Sequence, residues 1–143
     1  MSDIFKKENI YLNESAGTKK EAIEKAGAVL AEKGYVDEDY ITSMLEREEI
    51  STTYIGNKIA IPHGTEDSKK LVKKSGISVL QLPEGVMFDD NEVNIVVGIA
   101  GKDGEHLEIL SKIAIACSEE ENVERLIQAK SEEEIIAIFE EAE

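Results

Sequence analysis

The sequence predicts an α/β protein of one domain, residues 1–143, with a mixed central β-sheet sandwiched between helices. Three observations carry this expectation. Stretches at both ends of the chain repeat apolar residues at helical spacing, while β-prone runs lie between and among them. Val93 to Ala100 is nearly all apolar, as in a central strand covered on both faces. At 143 residues with 41% apolar content, the chain can bury one real core but cannot hold two full-sized domains.

The elements follow in order. Ile10-Tyr11-Leu12 is a short β-prone piece, and Asn13 to Gly17 is turn-like. Thr18 opens a helix, with Glu21 three residues later completing a capping box. Ala22, Ile23, Ala26, Val29 and Leu30 form its apolar stripe, and Gly34 is placed to end it in a left-handed conformation. A second helix is expected from Asp37 to the region of Arg47 to Glu49, with Tyr40, Ile41, Met44 and Leu45 on one face. Thr53-Tyr54-Ile55 is β-prone, Gly56-Asn57 is a turn pair, and Lys58 to Ile61 is a strand stopped by Pro62. Ile77 to Leu82 makes another strand, which Pro83-Glu84-Gly85 should break. After Gly101, Leu107, Leu110, Ile113, Ala114 and Cys117 keep helical spacing. Ser118 is expected to cap a short helix containing Val123, Leu126 and Ile127. Ser131 and Glu134 form a second capping box ahead of Ile135, Ile138 and Phe139.

Charge narrows the function. With 31 acidic against 16 basic residues the net charge is −15, which disfavours binding nucleic acid or anionic lipid through bulk charge and suits a basic partner. Residues 119 to 143 supply −8 of this, the pattern of solvated helix faces. Lys69, Lys70, Lys73 and Lys74 are the basic cluster, a wet helix face or an anion contact. One cysteine excludes an internal disulfide framework and fits a reducing compartment. No apolar run approaches the ~20 residues of a membrane span, and the first ten residues lack a secretory apolar core. A cytoplasmic protein without direct membrane insertion is the expectation.

The chemistry centres on two histidines. His63 follows a strand and Pro62 and precedes Gly64, so its ring should sit at a strand end, where sheets open into crevices. His106 lies where the last strand gives way to a helix. If neighbouring strands present both at one sheet edge, the rings can meet. A neutral imidazole is a nucleophile near its reference pKa of ~6.5, a second ring can donate to phosphoryl oxygen, and Arg47 can grip such oxygens in a fork. The plainer readings are that the histidines cap backbone groups and that Arg47 closes its helix. A metal site would need Glu66 or Glu105 as further ligands, and nothing has structural-zinc spacing. Ser51, Thr52 and Thr53 suit an oxyanion or simply a turn. Cys117, on an apolar stripe, reads as a buried small hydrophobe. No Gly-rich phosphate loop is present, so no nucleotide cofactor is implied.

Glu48 to Gly64, E-E-I-S-T-T-Y-I-G-N-K-I-A-I-P-H-G, resembles the phosphorylation-site motif of the mannitol/fructose class of phosphotransferase-system enzyme IIA domains. Ile55-Gly56 and Ile59-Ala60-Ile61-Pro62-His63-Gly64 match position by position. The resemblance continues through Met44 to Glu48, Pro83 to Val86, Gly98 to Ala100 and Glu105-His106-Leu107, and so spans essentially residues 1–143. The resemblance extends to the free-standing mannitol branch of that class. The resemblance implies a mixed sheet with helices on both sides and a phosphocarrier without cofactor or metal. By this likeness His63 takes a phosphoryl group from phospho-HPr at Nε2 and passes it to a cysteine of the mannitol IIB domain of a membrane IIBC protein. His106 and Arg47 match the supporting residues. The alternative is a fructose-type or nitrogen-regulatory relative whose phosphorylation signals to other proteins.

Overall fold

A computed structural model describes residues 5–141. Its centre is a five-stranded mixed sheet of β1 (Ile10–Tyr11), β2 (Tyr54–Gly56), β3 (Ile59–Ala60), β4 (Gly76–Phe88) and β5 (Asn91–Ala100), in the order β1-β4-β5-β3-β2. β1 is parallel to β4, β5 is parallel to β3, and the β4–β5 and β2–β3 pairs are antiparallel. Five helices flank the sheet: α1 (Lys19–Glu32), α2 (Asp39–Ile50), α3 (Glu105–Cys117), α4 (Glu120–Gln128) and α5 (Glu132–Glu141). The expected α/β sandwich is therefore observed.

Strand alternation explains the two layers. On one face of β5, Ile95, Val97 and Ile99 meet Ile109 and Ile113 of α3, Leu126 of α4 and Ile135 of α5. On the other, Val96 joins Ile23 and Leu30 of α1 and Tyr40 and Met44 of α2. Every residue of β5 from Val93 onward is buried, as its apolar run predicts.

The helix ends follow the predicted chemistry with one common adjustment. Thr18 Oγ1 accepts the Glu21 N–H at 3.1 Å, and Ser131 Oγ accepts that of Glu134 at 3.2 Å. The returning carboxyl groups reach one residue further back, to the Gly17 and Lys130 N–H groups. Gly34 takes φ 81°, and bonds from Gly34 N to Ala31 O and from Tyr35 N to Leu30 O close α1.

Four expectations need correction. α2 begins at Asp39, and Asp37 stands outside it, accepting the Asp39 N–H through Oδ1. Pro83-Glu84-Gly85 does not end β4, because Gln81 pairs with Ile95 and Val86 with Val93. The residues between them bulge opposite Asn94, whose Nδ2 donates to the Leu82 and Pro83 carbonyls, so the ladder resumes beyond the proline. α3 buries Ile109, Ile113, Ala116 and Cys117, leaving Leu107 and Ala114 exposed. Ser118 donates back to Ile115 O, which ends α3, and does not cap α4.

Candidate active site

The parallel pairing of β3 with β5 builds the site. Both strands run the same way and end at one sheet edge; there His63 bridges to Ile99, and Ile99 N–H donates to Pro62 O at 2.9 Å. β5 leads through Gly101 into α3, bringing in His106, while the end of α2 brings in Arg47. His63, His106 and Arg47 line one open cleft of about 880 Å³, so the edge brings together all three sequence-predicted residues.

Two glycines allow this closeness. A Cβ on Gly101 would lie 2.2 Å from His106 N, so only glycine lets α3 start so tightly against β5. A Cβ on Gly64 would lie 2.3 Å from Ser68 Oγ and 2.6 Å from the Tyr40 ring. The group that Gly64 admits is thus the protein's own tyrosine. Tyr40 accepts the Gly64 N–H at 2.9 Å and donates to Ile99 O at 2.9 Å, which fastens the loop after His63 to β5. Ser43 Oγ accepts the Thr65 N–H at 2.9 Å and extends this support by one residue.

The half-buried His63 ring has Nδ1 2.8 Å from Ile61 O. A carbonyl only accepts, so Nδ1 carries the proton and the neutral ring has its lone pair on Nε2. Burial chiefly holds the imidazole below its usual value, and the positive charges of Arg47 and His106 push the same way. The Ile61 carbonyl and Glu48 oppose them. Arg47 Nη1 donates to Ser51 O at 2.8 Å and Ser51 Oγ at 3.1 Å, which folds the guanidinium over the α2–β2 turn. Glu66, on the rim, is held below the usual carboxylate range mainly by Lys69, 2.9 Å away, with lesser contributions from both histidines.

The remaining candidates separate cleanly. Thr53 is engaged by Glu48, and Thr52 Oγ1 accepts the Tyr54 N–H, so both act as turn residues. Ser51 lines the cleft. Burial pushes the Cys117 thiol up to about 12, which disfavours the nucleophilic thiolate. Among the described residues no three His, Cys, Asp or Glu side chains gather as metal ligands. None of the described helices is long and apolar enough to cross a membrane. Tyr40 lies on the expected apolar stripe and Glu48 has no role in the sequence reading; the four-residue spacing Tyr40–Met44–Glu48 puts both on the buried face of α2 but does not name their partners.

Known proteins resemble this chain over nearly its whole length. Residues 3–142 match the family described as "Phosphoenolpyruvate-dependent sugar phosphotransferase system, EIIA 2". The chain is 60% identical over 139 residues to the mannitol-specific phosphotransferase enzyme IIA component of Bacillus subtilis, covering 96% of this chain and 97% of that protein. It resembles the enzyme IIA chain in the Escherichia coli complex of mannitol enzyme IIA with phosphorylated enzyme IIB, with TM-score 0.88, 38% identity, and 94% and 95% of the two chains covered. The crystal structure of Escherichia coli mannitol IIA gives TM-score 0.86 and 39% identity, over 92% and 96% of the chains. The chain belongs to the EIIA 2 family of the phosphoenolpyruvate-dependent sugar phosphotransferase system, whose members act in phosphoryl transfer.

Proposed function

We propose that this protein is the cytoplasmic phosphocarrier of a mannitol phosphotransferase system, with His63 as the residue that carries the phosphoryl group. HPr is the donor, and a cysteine of the mannitol IIB domain is the acceptor. The observation that carries the reading is the His63 Nδ1–Ile61 O contact of 2.8 Å, which leaves the lone pair on Nε2 of a residue lining the cleft. That lone pair forms the N–P bond as the bond from phosphorus to the donor breaks and its electron pair returns to the donor. The reverse displacement, with the IIB thiolate as nucleophile, returns the electron pair to Nε2. Arg47 and His106 stabilise the equatorial oxygens during both transfers, which need charge stabilisation and alignment above all.

The cleft surroundings suit docking partners. Ile50 and Leu107, 73% and 65% exposed, flank the cleft, and Glu46, Glu49, Glu66 and Asp67 line it. An apolar contact within an acidic rim favours a partner with a basic patch and speeds its approach. The 60% identity to a mannitol-specific relative favours transport over the fructose-type or signalling alternative.

Reconstitution with phosphoenolpyruvate, enzyme I, HPr and mannitol IIBC tests the reading. Mannitol phosphate should form with this protein and fail to form with His63→Ala. Phosphorylation of the protein without onward transfer to mannitol IIB would overturn the transport reading and favour signalling.

A further inference from the structure

We propose that Glu48 is a positioning residue for phosphoryl transfer, setting the His63 ring through a continuous hydrogen-bonded path across the α2–β2 turn. The inference rests on His63 being the phosphoryl carrier. Glu48 is only 6% exposed and lies in the last turn of α2. Its Oε1 accepts both the Thr53 N–H at 2.9 Å and the Thr53 hydroxyl at 2.6 Å. Thr53 O accepts the Ile61 N–H at 3.0 Å, and Ile61 O accepts from His63 Nδ1 at 2.8 Å. The path therefore runs from the carboxyl group to the nitrogen opposite the reacting one.

Burial without full satisfaction argues that the carboxyl group has a purpose. Glu48 Oε2 is buried with no hydrogen-bond partner, and its charge is met by an ion pair with Lys19 Nζ at 3.7 Å, which Lys19 shares with the nearer Asp89. An apolar residue four positions after Met44 would fill this place without the desolvation cost. Glu48 also adjoins Arg47 in sequence, and the turn it holds includes Ser51, whose carbonyl receives Arg47 Nη1. One buried side chain thus fixes the turn that supports both the nucleophile and the cation. Without it, Ile61 O can drift and the ring can adopt the Nε2–H tautomer, whose lone pair lies on Nδ1 and not on the nitrogen that faces phosphorus.

Glu48→Met keeps the volume and removes the acceptor, whereas Glu48→Gln keeps an acceptor oxygen. Thr53→Val removes the hydroxyl link and decides the matter if Glu48→Met fails to fold. Imidazole ¹⁵N spectra at pH 7.5 should show the Nδ1–H tautomer of His63 in the parent and Glu48→Gln, and a tautomer mixture in Glu48→Met and Thr53→Val. Single-turnover acceptance from phospho-HPr should slow by about 10–100-fold in the latter two, as for loss of near-attack geometry, with KM for phospho-HPr little changed. Folded Glu48→Met, or in its absence Thr53→Val, with parent ¹⁵N shifts and parent rates would overturn the proposal, as would a change confined to KM. The tautomer readout needs no donor, so failure of the parent to be phosphorylated on His63 would count against the carrier assignment alone.

Discussion

Tyr40 supports the backbone of Gly64 directly, its phenolic oxygen 2.9 Å from the Gly64 nitrogen. The same oxygen donates to Ile99 O, so one buried hydroxyl ties the loop after His63 to the central strand. Tyr40→Phe should cost about 1–3 kcal/mol of stability, the range for leaving buried polar groups unpaired. It should also slow phosphoryl acceptance if His63 is the carrier, because the loop loses its attachment beside that ring. Thermal unfolding together with single-turnover acceptance checks both. Parent values in both measurements would remove Tyr40 from the account.

Arg47 and His106, both half-buried, line the same cleft as His63 and belong to neither apolar core cluster. Arg47→Ala or His106→Ala should slow both half-reactions by something like 10²–10³-fold, the loss typical of one preorganised donor. Arg47→Lys should rescue only in part, since an ammonium cannot reproduce the planar fork. Rapid-quench rates from HPr and to IIB measure this. Unchanged rates in both alanine variants would reduce Arg47 to a clasp on Ser51 and His106 to a turn residue.

The ionisation of His63 gives a signed pH prediction. Burial first, then the charges of Arg47 and His106, hold its pKa below the usual 6.5. The neutral ring therefore persists below pH 6.5, and acceptance of phosphoryl groups should decline only beneath that value. The stability contribution has the matching sign: it is fully present above 6.5 and is lost as pH falls towards the folded-state value, because the unfolded chain protonates first. Arg47→Ala removes a lowering influence, so the midpoint should rise. Titration of the His63 ring protons by NMR checks the direction; a parent midpoint at or above 6.5, or a fall in Arg47→Ala, contradicts it.

Much of this arrangement was legible in the residue pattern, and the exceptions have physical causes. Periodicity located the central strand and the apolar faces of α1, α4 and α5, because each buries a simple stripe. In α3 it could not choose a face: Leu107, Ile109, Leu110, Ile113 and Ile115 surround much of the helix, and only docking on β5 selects Ile109 and Ile113. The continuation of β4 past Pro83 depends on Asn94, a partner supplied from the neighbouring strand. The histidine pair was readable as chemistry, but its meeting required the parallel register of β3 and β5. Tyr40 and Glu48 stayed silent because a polar group at the end of a buried stripe looks like packing until its partner is known.

Cys117 supplies a check on the core. With its thiol buried on α3 and pushed up to about 12, it should resist iodoacetamide in the folded protein at pH 8 and react fully once urea unfolds the chain. Mass spectrometry of the alkylated protein reads this directly. Rapid modification under native conditions would mean that the α3 face opens readily.

The proposed role of His63, carrying the phosphoryl group on Nε2, is tested by locating the label directly. The protein is incubated with phospho-HPr, and the product is examined by ³¹P and imidazole ¹⁵N NMR and by fragmentation mass spectrometry. One acid-labile phosphoryl group per chain, bonded to Nε2 of His63, is expected, with none in His63→Ala. A phosphoryl group on His106, on His63 Nδ1, or persisting in His63→Ala would contradict it.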